Sequence, residues 1–253
     1  MDLVNRQGQY AEALPWFERA VAKAEKGDIH GCVDPASLGK SLHMVGFCYF
    51  SQGQYAEALS WFGRAIAQTE RGDTHGRIDP ESLGTSFHQV GYCYFSQGQY
   101  AEALPWFERA VDQAEKGDVH GGVNPASLGK SLYMVGFCYF SQGHYAEALP
   151  WFERAVSATE KGDVEGCVDA ESLGTSLHHV GDCYARQEQY AEALPWFERA
   201  VAAKEKGDGH GRVDSESLGT SLHLVGRCYT RLGKFEEARV WVARASRLGI
   251  REP

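Results

Sequence analysis

The sequence has no run of 18 consecutive apolar residues, and its first 25 residues hold no signal-peptide core. A membrane-spanning helix and a secretory route are therefore not expected, and the chain reads as soluble and cytoplasmic. Basic residues are in the minority: 25 Lys and Arg stand against 34 Asp and Glu, a formal net charge of −9, and no Lys/Arg block exists. Nucleic acid and anionic membrane are poor partners for such a chain. The signatures of catalysis are missing too. There is no nucleophile elbow, no P-loop, no G-x-G-x-x-G after a strand and no H-E-x-x-H. The Ser and His residues recur with the repeat described below, as structural residues do. No enzyme activity and no cofactor are expected. The seven cysteines are an odd number, in a chain of 253 residues long enough to bury a core without staples. Free thiols in a reducing compartment fit better than a disulfide framework.

What the sequence does contain is itself, copied. Tyr10, Tyr55, Tyr100, Tyr145, Tyr190 and Phe235 are spaced 45 residues apart. The segment Gln7–Ser51 differs from Gln97–Ser141 at six of 45 positions. A fixed period of this size means a solenoid or array and not two globular domains. Ordinary proportions of apolar (43%) and charged (23%) residues exclude global disorder.

Each unit reads as two helices, A and B. In Asp79-Pro80-Glu81-Ser82 the Asp can cap, the Pro loses no bond at the first helical position, and the Glu meets the positive end of the dipole. Helix A is expected to run to about Ser96, where Gln97-Gly98 breaks it. Helix B then runs from about Gln99 to Lys116, and Gly117-Asp118 ends it. Both stretches have helical and not alternating periodicity. Pro15, Pro105, Pro150 and Pro195 should bend helix B slightly without breaking it. Gly46, Gly91, Gly136, Gly181 and Gly226 sit mid-helix A, where Gly costs about 1 kcal/mol relative to Ala. Close approach of helix B is the expected compensation.

Within Leu42…Val45-Gly46…Tyr49…Gly53-Gln54-Tyr55…Ala58…Phe62…Ala65 the spacing resembles the tetratricopeptide repeat signature, and it recurs in every unit. The family norm is shorter; units of 45 residues resemble the long variety of kinesin light chains. That variety carries paired Asn in helix A, where His43-Met44 and His88-Gln89 stand here. The resemblance implies an all-α fold, a right-handed α-solenoid or superhelix of antiparallel helix pairs, with eleven helices. It would be a single array over residues 1–253: 1–8 the remnant of a preceding helix, 9–27 an unpaired helix B, full repeats at 35–72, 80–117, 125–162 and 170–207, and a C-terminal capping repeat at 215–249. Arg239, Val242 and Ser246, which replace apolar residues of earlier copies, suit a last helix on which nothing stacks. The N-terminus reads as cut. Its apolar surface around Leu14, Phe17 and Val21 is the expected route of any weak self-association of an otherwise monomeric chain.

Two patterns invite chemistry and are read as structure. Cys48, Cys93, Cys138, Cys183 and Cys228 form a ladder along the A helices, which should lie about 8–10 Å apart, too far for disulfides. The loop pairs Asp28/His30, Asp73/His75, Asp118/His120 and Asp208/His210 offer two ligands each, where zinc needs three or four; Glu165 replaces the His in the fourth unit. No metal site is expected.

One face of helix A carries the sharper expectation. Advancing 100° per residue from His88, Tyr92, Phe95, Thr85 and Gln89 share an arc, while Phe87, Val90, Gly91 and Tyr94 point to the core. By resemblance, the A helices line the concave groove of the array. The first three A helices would present His43, Phe47, Phe50, then His88, Tyr92, Phe95, then Tyr133, Phe137, Phe140. The next two would present His178, Asp182, Arg186 and His223, Arg227, Arg231. The copies diverge on this face, while Arg19, Arg64, Arg109, Arg154 and Arg199 on helix B do not. The aromatic residues either face a ligand or pack on one another across neighbouring A helices. The expected function is a non-catalytic protein–protein interaction scaffold. It would hold a peptide or partner segment that is apolar or aromatic with some acidic character. Alternatives are a sensor or regulatory arm of a larger ATPase or protease switch, and a self-assembling structural array.

Overall fold

The computed structural model describes residues 3–27, 30–118, 120–163, 165–208 and 211–248. Among them are eleven α-helices and no strand: α1 (Leu3–Lys26), α2 (Pro35–Ser51), α3 (Tyr55–Thr69), α4 (Pro80–Phe95), α5 (Tyr100–Lys116), α6 (Pro125–Ser141), α7 (Tyr145–Thr159), α8 (Ala170–Arg186), α9 (Tyr190–Lys204), α10 (Ser215–Arg231) and α11 (Phe235–Arg247). The even-numbered helices are the A helices. The chain forms two compact units, Met1–Asn124 and Pro125–Pro253. In each, an A helix packs on the B helix that follows, and pairs stack in tandem. No described helix is long and apolar enough to cross a membrane.

The repeated sequence writes its own boundaries. The Asp34 carboxylate accepts from the amides of Ala36 and Ser37, and Asp79, Asp169 and Asp214 cap α4, α8 and α10 in the same way. At the other end, a glutamine side chain reaches back to a carbonyl left open by the end of helix A. Gln52 Nε2 donates to Cys48 O at 3.0 Å, and Gln97, Gln142 and Gln187 do likewise. The residue after that glutamine, or after Leu232 at the end of α10, turns the chain with positive φ. It is Gly53, Gly98, Gly143 or Gly233, but Glu188 in the fourth full unit, at φ 62°. A side chain is strained there. Glu188→Gly is expected to stabilise unit 2 by about 1 kcal/mol. An unchanged urea midpoint would show that the turn tolerates glutamate at no cost.

The mid-helix glycines of the A helices lie under phenylalanines of the B helices. A Cβ on Gly46, Gly91, Gly136 or Gly181 would come to about 3 Å or less from Phe62, Phe107, Phe152 or Phe197. All four rings are 0% exposed. In the last pair Val242 takes the ring's place over Gly226. Proline does not interrupt α1, α5, α7 or α9.

The two ends differ from expectation. The helix of residues 3–26 runs unbroken through Gly8, where later units turn at the equivalent glycine. Glycine weakens a helix without ending it; in the later units the reversal brings helix B back against helix A. Val21 is only 4% exposed, and Leu14 and Phe17 are half-buried against α2 and α3. Among the described side chains of α1, the large apolar one that is exposed is Trp16. On α11, Arg239 and Ser246 are exposed as expected of an outer face, and so are Phe235 and Val240.

The five ladder cysteines are buried and unbridged, whereas Cys32 and Cys167 are exposed. Burial pushes the thiols of Cys93 and Cys183 up to about 12 and that of Cys228 up to about 11. Since the thiolate is the reactive form, iodoacetamide at neutral pH is expected to label two of the seven cysteines in the folded chain and all seven in denaturant. Mass spectrometry showing rapid native labelling of Cys93 or Cys183 would contradict this.

Candidate functional site

In unit 1, α2 and α4 place rings side by side. Phe47 stacks on Phe50 (centroids 6.3 Å apart), Phe50 meets Tyr92 edge-on (6.4 Å), and Tyr92 meets Phe95 (6.1 Å). These rings also rest on helix B: Tyr92 lies 5.6 Å from Phe107, and Phe95 lies 5.3 Å from Tyr100. His43 and His88 sit over Phe62 and Phe107, each at 5.2 Å. All six residues are half-buried. The rings therefore pack on one another and still leave edges in solvent.

In unit 2, Tyr133, Phe137 and Phe140 of α6 gather around His179 of α8, with ring centroids 5.3, 5.3 and 5.6 Å away. Phe152 of α7 closes this cluster at 5.2 Å. The sequence pattern singles out His178, one residue earlier. That imidazole turns away to the Ser221 hydroxyl (Nδ1–Oγ 3.0 Å) and lies over Phe197. A helical wheel carries the missed signal, since His179 occupies the same arc as Gln89 in α4.

The polar residues of unit 2 fall into three situations. Asp182 is buried and sits 3.6 Å from the Arg186 guanidinium. Arg186 extends over Phe140 and Tyr145, and Arg231 over Tyr190, at cation–π distances of 5.7–5.8 Å. Arg227 is exposed, and His223 half-buried. Arg186 and Arg231 thus lie over rings of the preceding helix pair.

Lys204, which no sequence pattern marks, is 3% exposed. Its Nζ donates to Ser217 O (3.2 Å) and Ser221 Oγ (3.1 Å). Burial pulls its pKa down, while the nearby carboxylates of Glu171 and Asp214 hold the charged form. Burial likewise lowers His43, His178 and His179. Lys204 adds to the fall for both unit 2 histidines; the Thr175 carbonyl and Asp182 oppose it at His179. A folded-state pKa below the unfolded value gives stability that is complete above about 6.5 and is lost as pH falls below it. Urea midpoints are therefore expected to drop between about pH 7 and about pH 5. The drop should shrink in His178→Gln and His179→Gln. A midpoint constant over that window would rule the imidazoles out as the cause.

The loop carboxylates have a structural use. Asp73 Oδ1 accepts from the amides of His75 and Arg77, and Asp118 Oδ1 from those of His120 and Gly122. In the fourth unit Asp163 holds the amides of Glu165 and Cys167. The loop uses the amide of the His position, which glutamate supplies equally well. Hydrogen bonds from the Arg77 backbone and side chain hold the Asp73 carboxyl down at about 2. Asp28 and His210 lie outside the described residues. Among the described residues no group of three His, Cys, Asp or Glu could hold a metal ion. The repeated helix B arginines also have a structural cause. Arg64, Arg109, Arg199 and Arg244 each pair with a glutamate at the end of the preceding B helix and lie over their own helix's tryptophan.

Sequence models of the tetratricopeptide repeat match residues 82–161 and 172–249, and a second such model matches 3–26 and 38–71. These segments take in well over half of the sequence, and the chain belongs to the tetratricopeptide repeat family. Solved structures share the fold. That of BtubC (BKLC) from P. vanneervenii is 16% identical, with a TM-score of 0.72 over 96% of this chain and 94% of its own. A putative kinesin light chain from Podosopora anserina, built of nearly identical TPR-like repeats, is 23% identical, with a TM-score of 0.60 over 85% and 96%. YrrB, a TPR protein with an unusual peptide-binding site, is 18% identical, with a TM-score of 0.59 over 92% and 91%. No curated protein matches the chain.

Proposed function

We propose that this chain is a non-catalytic scaffold whose A-helix faces each hold an extended segment of a partner protein. The observation that carries the reading is the run of half-buried rings on α2, α4 and α6, held in place from beneath by helix B and open at their edges. Fixed aromatic edges offer contact area at little entropic cost and commonly dominate binding energy. Membership of a family of repeat scaffolds supports it, as does the shared fold of a TPR protein with a peptide-binding site. In unit 2 the exposed Arg227 and Arg231 and the ring-stacked Arg186 suit carboxylates. The preferred segment is therefore apolar or aromatic with acidic residues. Asp182 weakens the charge preference at Arg186.

Selection of random peptides on the immobilised full chain tests this. Enriched sequences are expected to combine aromatic or aliphatic residues with Asp or Glu. Their binding should weaken in Arg227→Glu, most at low salt, where charges are least screened. No enrichment, or enrichment of basic peptides, would defeat the proposal.

A further inference from the structure

Two clefts between neighbouring A helices are built from the same parts and differ in their contents. In the α8–α10 cleft, the Ser221 hydroxyl is fully used. It donates to Ser217 O (3.3 Å), and it lies within bonding distance of His178 Nδ1 (3.0 Å) and the Lys204 ammonium (3.1 Å). One donor and two lone pairs are all a hydroxyl has. The stem of Lys204 reaches this point over Gly174, where any Cβ would strike it.

In the α2–α4 cleft the same frame stands without the lysine. Ser86 Oγ donates to Ser82 O (3.1 Å) and lies 3.2 Å from His43 Nδ1. The position of Lys204 is held by Thr69, whose short side chain turns back to its own helix at Ala65 O (3.0 Å). One lone pair of the buried Ser86 hydroxyl therefore remains open. Where the lysine stem and ammonium would lie there is a cavity of about 470 Å³, lined by Gly39, His43, Thr69, Ser82 and Ser86. Asp79 and Glu81 also line it, against the single positive charge of Lys40. In the α6–α8 cleft, Tyr133 replaces the histidine and its hydroxyl meets His179 instead (3.4 Å).

We propose that the α2–α4 cleft is a binding site for a primary alkylammonium group, from a lysine side chain of a partner or from a free amine. Lys204 shows what the frame holds: an ammonium that donates to a helix carbonyl and a serine hydroxyl, with carboxylates near enough to favour the charge. Burial lowers the His43 pKa, which favours the neutral imidazole and so reduces repulsion of an incoming cation. This site goes beyond the aromatic faces and shares only His43 with them.

The test is a titration of the full chain, followed by backbone amide and histidine side-chain NMR. The probes are n-pentylamine and Nα-acetyl-lysine N-methylamide, with the Nε-acetylated lysine derivative as control. Saturable shifts are expected at His43, Thr85 and Ser86 with both amines and not with the control. Tighter saturation by the lysine derivative would assign the site to a polypeptide side chain, and equal saturation to free amines. Thr69→Lys rebuilds the α8–α10 arrangement and should abolish the shifts. Ser86→Ala should weaken binding about 10–100-fold, the usual loss for a hydrogen bond to a charged group. No saturable shift with either amine, an equal response to the acetylated control, or an undiminished response in Thr69→Lys would overturn the proposal. Should Thr69→Lys fail to fold, Ser86→Ala carries the same decision.

Discussion

Gly91→Ala is expected to destabilise unit 1, although alanine is the better helix former. The helix itself would gain about 1 kcal/mol from the change. Against this, the new methyl would meet Phe107 Cε1, Cδ1 and Cζ at 2.8–2.9 Å. That ring cannot yield: it is 0% exposed and has His88, Tyr92 and Phe95 against it. Overpacking a close-packed core costs about 1–3 kcal/mol, and here several rings must shift together. A net loss of up to about 2 kcal/mol is expected by urea denaturation. The loss should be smaller when Gly91→Ala is combined with Phe107→Leu, because the two residues share one contact and their effects couple. A gain in stability for the single variant would mean that α4 and α5 can separate freely.

Much of this fold is legible in the letters. The 45-residue spacing gives the repeat, Asp-Pro-Glu-Ser gives the start of α4, and Gly53, Gly98 and Gly143, each after a glutamine, give the turn between helices. These features are local, and local rules of capping and backbone freedom decide them. The aromatic face of the A helices is legible only in direction. A helical wheel places Phe47, Tyr92 and Phe95 on one arc but cannot say how deep they sit, since depth depends on Phe62 and Phe107 in the following helix. The same wheel cannot choose between His178 and His179, because their partners Ser221 and Tyr133 belong to A helices on opposite sides of α8. Lys204 is hidden for a related reason. A lysine in the last turn of a helix ordinarily caps it from solvent. Only the absent side chain of Gly174, 30 residues earlier in sequence, lets this one turn inward.

The ring contacts also reframe the contrast between the two sides of the array. Arg64, Arg109, Arg199 and Arg244 of helix B have partners on the preceding B helix of the same unit, so their identity follows from stacking one pair on the next. Each such exposed pair adds only about 0.2–1 kcal/mol, but it recurs along the unit. The A-helix faces have no such fixed partner at every position, and their residues can differ from copy to copy without undoing the stack.

Phe152→Ala should have the largest effect of any single change considered, about 3–5 kcal/mol of stability lost. Phe152 is fully buried and fills the space under Gly136, while Tyr133, Phe140 and His179 rest on its ring at 5.5, 6.3 and 5.2 Å. Removing it empties the floor beneath the aromatic face. Two readouts then separate structure from binding. Water entering the space relieves the desolvation of His179, so its imidazole pKa should rise toward the ordinary histidine value, visible by NMR. Peptide affinity at the α6 face should fall together with stability, because Tyr133, Phe137 and Phe140 lose the order that makes them good anchors. Arg227→Glu offers the opposite combination: the side chain is exposed, so affinity for acidic peptides should fall while the urea midpoint stays put. If Phe152→Ala weakened the fold yet left peptide affinity at the wild-type level, the rings of α6 would be packing elements alone, and binding would have to be sought on another face.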